Sequence, residues 1–134
     1  NVISVNSGIV FSMLFHNNVE NIILDTTFEL STLDDIVLFH QAKVLSLNGD
    51  SKKGYYKVTF TIKPYILNVG IYKLKVIFGK SQRYVLWEKD NIINFELQDS
   101  YEREGYNMSI PPGLLRPKLD ISYDFLGNYK NENI

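Results

Sequence analysis

The side chains able to do chemistry in this 134-residue chain are two histidines, fifteen carboxylates and fourteen lysines and arginines; there is no cysteine. Without a thiol there is no thiolate nucleophile, no thiolate metal site and no disulfide framework. His16 and His40 fall on separate extended runs, and neither has a serine and an aspartate at the spacing of a hydrolase triad; a Gly-x-Ser-x-Gly elbow is missing too. Gly49-Asp50-Ser51-Lys52-Lys53-Gly54 has the glycine spacing of a phosphate cradle, but Tyr55-Tyr56 stand where a lysine and a hydroxyl residue would be required. It reads as a hairpin loop. Asp34-Asp35 reads as turn chemistry, with too few oxygen ligands around it for calcium. Glu29 and Glu96 are the residue type that glycosidases pair across about 5 to 9.5 Å, a separation that spacing along a chain does not supply. Asn107-Met108-Ser109 matches the N-glycosylation triplet. No catalytic set emerges, and the expectation is a non-enzymatic fragment with no metal and no cofactor.

What remains is a surface. The sequence carries period-two alternation through most of its length and no 3.6-residue stripe, so the elements are strands. Phe11, Met13 and Phe15 alternate with Val10, Ser12 and Leu14 after Gly8. Leu24, Thr26, Phe28 and Leu30 alternate with Asp25, Thr27, Glu29 and Ser31. Tyr56, Val58, Phe60 and Ile62 alternate with Tyr55, Lys57, Thr59 and Thr61. Tyr72, Leu74, Val76 and Phe78 alternate with Lys73, Lys75 and Ile77, and Ile93, Phe95 and Leu97 with Ile92, Asn94, Glu96 and Gln98. Ile36 to Val44 is apolar on both faces at first, which leaves its register open. If three of these strands share a sheet, Asp25, Thr27 and Glu29, Lys73 and Lys75, and Asn94, Glu96 and Gln98 form one carpet of donors and acceptors. The plain reading of such a carpet is a solvated sheet face. The ligand class that fits it is carbohydrate, whose hydroxyl pairs take bidentate polar partners and whose ring faces stack on aromatic side chains.

Tyr84 and Trp87, placed in a linker before the last regular strand, are the candidate stacking platform, with His40 and Tyr55 as further candidates. The competing reading has Trp87 plugging one end of the core. The candidate carbohydrate-binding set is therefore Thr27, Glu29, His40, Lys73, Lys75, Tyr84, Trp87, Asn94 and Glu96.

About seven short strands at regular spacing predict an all-β, immunoglobulin-like sandwich of two antiparallel sheets. In such sandwiches a tyrosine near the start of the penultimate strand turns its ring into the core and bonds backbone just upstream. Gly70-Ile71-Tyr72 is placed to do this, with Gly70 allowing a close backbone approach. The last third, residues 99–134, reads as a charged connector, an Ile110-Pro111-Pro112-Gly113 punctuation and a terminal strand in which Leu119, Ile121, Tyr123 and Phe125 alternate. That strand pairs within its own sandwich or is exchanged with a second copy.

The bulk properties exclude several classes. A chain of this length is one domain, 1–134, able to hide about two-thirds of its unfolded surface. Net charge of −1 and pI near 6.1 leave little for the counterion-release term of nucleic-acid binding. No apolar run approaches the ~18 residues of a membrane-spanning helix. The start at Asn1 without a leader pattern is expected for a domain cut from a longer protein, and the lack of cysteine favours a reducing compartment such as the cytoplasm.

The runs Pro64 to Leu74, Trp87 to Leu97 and Pro112 to Pro117 together resemble the C-terminal domain of Wzt-type proteins, ATP-binding subunits of ABC transporters that export O-antigen or related polysaccharides. The similarity extends from Gly8 to Leu119-Asp120-Ile121. It implies an immunoglobulin-like sandwich, often dimeric through exchange of its last strand, that binds the exported glycan on the cytoplasmic side of the inner membrane and meets the transporter's membrane subunit through the full-length protein. ATP hydrolysis in that family belongs to an N-terminal domain, and no Walker lysine is present here. Asp34 to His40 departs from the pattern in lacking a turn glycine. No sugar contact is carried over from the family. Two further readings stay open: a dimerisation module without ligand, and a secreted lectin or adhesin domain.

Overall fold

The computed structural model describes residues 2–99, 112–117 and 119–127. Among them every regular element is a strand: β1 (Val2–Ser4), β2 (Ile9–Asn17), β3 (Leu24–Thr32), β4 (Val37–Val44), β5 (Gly54–Ile62), β6 (Gly70–Lys80) and β7 (Tyr84–Gln98). They form a β-sandwich of a five-stranded sheet in the order β1-β7-β6-β3-β4 and a two-stranded sheet, β2-β5. The Asn107-Met108-Ser109 triplet, most of the charged connector and Ile110-Pro111 lie outside the described residues.

The alternation seen in the sequence sets which face is buried. On β6 the inward residues Tyr72, Leu74, Val76 and Phe78 are 6% exposed or less, and they stand beside Thr32, Leu30, Phe28 and Thr26 of β3. The smaller sheet covers them through aromatic contacts between the layers: Phe15 lies 3.9 Å from Phe78, Phe28 4.4 Å from Phe60 and Phe11 5.4 Å from Phe95, ring centre to ring centre. Two strands cannot cover five. Phe11, Met13, Phe15, Val58 and Phe60 therefore pack on the core but stay only partly buried.

Tyr72 is 1% exposed, and its hydroxyl donates to the Asn68 carbonyl at 2.7 Å. Its ring lies back over Gly70, where a Cβ would sit 3.4 Å from the phenolic oxygen and the backbone has φ +155°. This is the tyrosine corner expected from Gly70-Ile71-Tyr72.

Three features differ from the sequence reading. The sheets are not wholly antiparallel, because β1 runs parallel to the end of β7, Val2 opposite Glu96; three residues are too few to show a period. Tyr84 and Trp87 are not in a linker, since β7 runs unbroken from Tyr84 and only Ser81 to Arg83 turn the chain. Asp25 faces away from solvent, 3% exposed, its Oδ2 accepting from the Gln82 backbone N–H at 2.6 Å. Gly79, its partner across the strands, makes the room, because a Cβ there would come within 2.8 Å of Asp25 Oδ1. Leu119 to Phe125 pairs with none of the described strands and is exposed throughout. β4 resolves the open register: Phe39 faces Leu30 and His40 faces Glu29, with an irregularity between Leu30 and Ser31.

Burial pushes the Tyr72 phenol above its ordinary value of 10.0. The unfolded phenol ionises first, so this residue's contribution to stability is intact below pH 10 and lost as the pH rises through the raised value. Tyr72→Phe removes the hydroxyl's hydrogen bond to the Asn68 carbonyl and should lower the unfolding free energy by about 0.5–1.5 kcal/mol in urea titrations; an unchanged midpoint would remove the corner from the stability account.

Candidate functional site

The outward face of the five-stranded sheet is assembled by register. Across β4, β3 and β6, His40, Glu29 and Lys75 stand in one row; across β3, β6 and β7, Ser31, Lys73 and Asn94 stand in the next. Thr27 lies opposite Ala42 and Ile77, and Glu96 opposite Ile71, one row to either side. Rows two residues apart are ~7 Å apart and neighbouring strands ~4.8 Å, so Thr27, Glu29, His40, Lys73, Lys75, Asn94 and Glu96 occupy a patch wide enough for several sugar rings. Asp25 is not part of it.

Two ion pairs order this patch. His40 Nδ1 lies 3.4 Å from Glu29 Oε2, with both side chains partly open to water. Lys73 is bound more tightly: its ammonium bonds Asp35 and lies 4.0 Å from Asp90 Oδ2, and its side chain is only 13% exposed. Each carboxylate reaches it from an irregularity. Asp35 sits in the β3–β4 turn at φ 67°, held by its N–H to the Thr32 carbonyl at 3.1 Å and by the Thr32 N–H to the Ile36 carbonyl at 2.9 Å. Asp90 belongs to a bulge in β7: Leu74 faces Ile93 but Val76 faces Lys89, so Asp90, Asn91 and Ile92 share the level of Lys75, with Asn91 at φ 50°. Asp and Asn tolerate the left-handed region better than other side chains. The hydrogen bond that the Lys73 ammonium donates to Asp35, more than the charges around it, raises it above its ordinary 10.5.

Trp87 lies elsewhere. It pairs with Phe78, so its ring sits on the core side of the sheet, 5.8 Å from Phe78 and 46% exposed. There it lines a groove of about 500 Å³ between β2 and β7, with Phe15, His16, Asn18 and Leu86. Tyr84 stands opposite Lys80 at the β6–β7 hairpin, 60% exposed, five residues or ~17 Å along β6 from Lys75. Tyr55 is on the other sheet, edge-on to His16 at 4.9 Å. The outward polar patch and the aromatic side chains named as its platform are thus separate. Among the described residues no group of three or more His, Asp or Glu side chains is placed to hold a metal ion, and no helix is long and apolar enough to cross a membrane.

No family model and no curated protein matches the chain. Among solved structures, the C-terminal domain of Wzt superposes with a TM-score of 0.72, at 17% identity, over 92% of this chain and 74% of that one. The chain has the fold of the Wzt C-terminal domain. In this Wzt-like sandwich the larger sheet carries the polar outward face, and apolar grooves flank the smaller one.

Asp35 and Asp90 entered the site without a signal of their own. Both come from positions where period two breaks, and only the pairing of β6 with its neighbours on either side brings them to Lys73. The only cue was that Asp34-Asp35 must turn the chain beside a strand whose outward row is basic. Because Lys73 is held charged, the stability it confers is intact below pH 10.5 and lost as the pH rises through its raised value. Asp35→Asn should reduce that alkaline loss and move the Lys73 ammonium titration, followed by NMR, back toward its ordinary range; an unmoved titration would remove the bracket.

Proposed function

We propose that this chain is a non-catalytic carbohydrate-binding domain that recognises an O-antigen or related surface polysaccharide for export by an ABC transporter. The observation that carries the reading is the outward sheet face, where Glu29, His40, Lys75, Lys73 and Asn94 stand in adjacent registers on a fold shared with the Wzt C-terminal domain. Carboxylate and amide oxygens accept from paired hydroxyls, and ammonium and amide N–H groups donate to them. Each neutral hydrogen bond nets about 0.5–1.5 kcal/mol, so a short glycan binds with a Kd on the order of high micromolar to millimolar. A polymer presenting many repeats to a dimer gains by avidity. In this reading the domain works at the cytoplasmic face of the inner membrane, as a homodimer joined to the transporter's membrane subunit through a longer protein. Thr27 and Glu96 extend the contact surface, while Tyr84 and Trp87 stand outside it.

A second reading, a dimerisation module without ligand, is favoured by one observation: the exposed apolar segment from Leu119 to Phe125.

Glycan titration followed by amide NMR separates the two. With the source strain's polysaccharide at millimolar concentration, amides of β3, β6 and β7 around Glu29, Lys75 and Asn94 shift. Glu29→Ala and Lys75→Ala each weaken binding several-fold with the melting temperature held, whereas Trp87→Ala leaves binding unchanged. Shifts confined to the Trp87 groove would move the site to that groove, and no shifts at all would leave the dimerisation module.

A further inference from the structure

We infer that the end of the sandwich formed by the β2–β3, β4–β5 and β6–β7 loops docks on an anionic lipid surface. The inference stands apart from the glycan reading above and does not rest on it. Buried hydrogen bonds tie the three loops into one framework. Ser51, 2% exposed, accepts from the Ile22 N–H at 3.0 Å and donates to the Val19 carbonyl at 2.7 Å, joining the first loop to the second. Ser46, 6% exposed, donates to the Ile22 carbonyl and accepts from the Leu24 N–H, both at 2.7 Å. The Ser81 N–H donates to the Ile23 carbonyl at 2.8 Å and the Gln82 N–H to buried Asp25, so the third loop is held against the first. Side chains outside this network are turned to the surface from a fixed base.

That surface is apolar at its tips and basic around them. The Gly49 N–H donates to the Ser46 carbonyl at 3.0 Å, with Gly49 at φ 69°, and this turn lifts Leu47 to its corner, 76% exposed. Turn corners ordinarily carry Gly, Pro, Asn, Asp or Ser. At the start of β7, on the same end, Tyr84, Val85, Leu86 and Trp87 are 44% to 60% exposed in succession, where a solvated strand would alternate with polar residues. Across residues 18–25, 43–53 and 80–84 the exposed cations are Lys43, Lys52, Lys53, Lys80 and Arg83 and the exposed anions only Glu20 and Asp50, although the whole chain stands at −1. No carboxylate among the described residues pairs with any of these cations. A sugar or a nucleic-acid strand would use the cations and the ring faces but gain nothing from Leu47, Val85 and Leu86. A bilayer surface uses all three kinds. Aliphatic side chains enter below the headgroups, Tyr and Trp sit at headgroup level, and each lysine or arginine near an anionic leaflet strengthens binding about fivefold.

Trp87 is the chain's single tryptophan, so its fluorescence reports the contact without a label. Titrated at about 0.1 M salt with vesicles of phosphatidylcholine and phosphatidylglycerol in equal parts, the emission should shift to the blue and resist quenching by acrylamide, and the protein should sediment with the vesicles. Pure phosphatidylcholine should bind at least about tenfold more weakly. Lys52→Gln and Lys53→Gln should each weaken binding about fivefold, and Leu47→Ser several-fold, with the melting temperature held. Lys63→Gln removes the same charge just past the far end of β5, ~30 Å away and well beyond the Debye length of about 10 Å, and should leave binding nearly unchanged. Equal binding to neutral vesicles, or an equal loss with Lys63→Gln, overturns the assignment of this end to an anionic surface. Neither a blue shift nor sedimentation at millimolar lipid overturns it outright. Without vesicle binding, a light-scattering dimer that Leu47→Ser weakens makes this end an interface between copies, and polysaccharide-induced shifts confined to amides of the three loops make it a glycan contact; either result overturns lipid as the occupant. A failure here leaves the glycan titration of the β3, β6 and β7 amides untouched, so the two proposals fail separately.

Discussion

The pairing of β3 with β6 is the constraint on which the rest of the molecule depends. Nine consecutive positions pair, from Leu24 opposite Lys80 to Thr32 opposite Tyr72, and side-chain direction alternates along both strands. A slip of one residue would carry Leu74, Val76 and Phe78 to the solvent face and Lys73, Lys75 and Ile77 into the core. Tyr72 opposes that slip at one end, since its hydroxyl can bond Asn68 only with its ring inward. Asp25 opposes it at the other, since its carboxylate fits only beside a residue without a side chain, and Gly79 is that residue. The core and the outward polar rows are two faces of one register.

The outward face owes its order to places where regular pairing stops. Lys73 in the middle of an ideal sheet would extend into water, as lysines on sheet surfaces do. Here a left-handed aspartate in the β3–β4 turn and an aspartate in the β7 bulge bring carboxylates over it from both flanks, and its charge is held in place. Exposed ion pairs contribute little to stability on their own. Their effect here is positional, because they limit the arrangements open to a long flexible side chain at the centre of the patch. For hydroxyl ligands, whose hydrogen bonds are individually weak, such preorganisation has a larger share in affinity than any single contact.

The smaller sheet shows the opposite economy. Two strands over five leave the core open along both flanks, so Phe11, Met13, Phe15, Val58 and Phe60 are only partly buried, and Trp87 forms a groove wall rather than a plug. Half-covered aromatic side chains beside strand edges that no described strand pairs are surfaces that proteins normally protect with charge, bulges or a further strand.

Much of the fold was legible in the sequence because period two is a local property. The inward set of β6, the faces of β2, β3 and β5 and the tyrosine corner at Gly70-Ile71-Tyr72 each follow from residues within a few positions of one another. So did the membership of Thr27, Glu29, Lys73, Lys75, Asn94 and Glu96 in a common outward face, since alternation names a side even before a neighbour is known. Alternation is silent where the backbone leaves it. It could not orient β4, apolar on both faces at first, and it could not see β1, three residues long. It put Tyr84 and Trp87 in a linker because exposed apolar residues do not alternate with polar ones there, and it turned Asp25 outward because a carboxylate is buried only when a distant partner, here the Gln82 N–H, answers it. Strand order, the bulge at Asp90 to Ile92 and the bracket on Lys73 were decided by tertiary structure alone, because each depends on which strands meet across gaps of tens of residues, and no pattern within one strand records its neighbour.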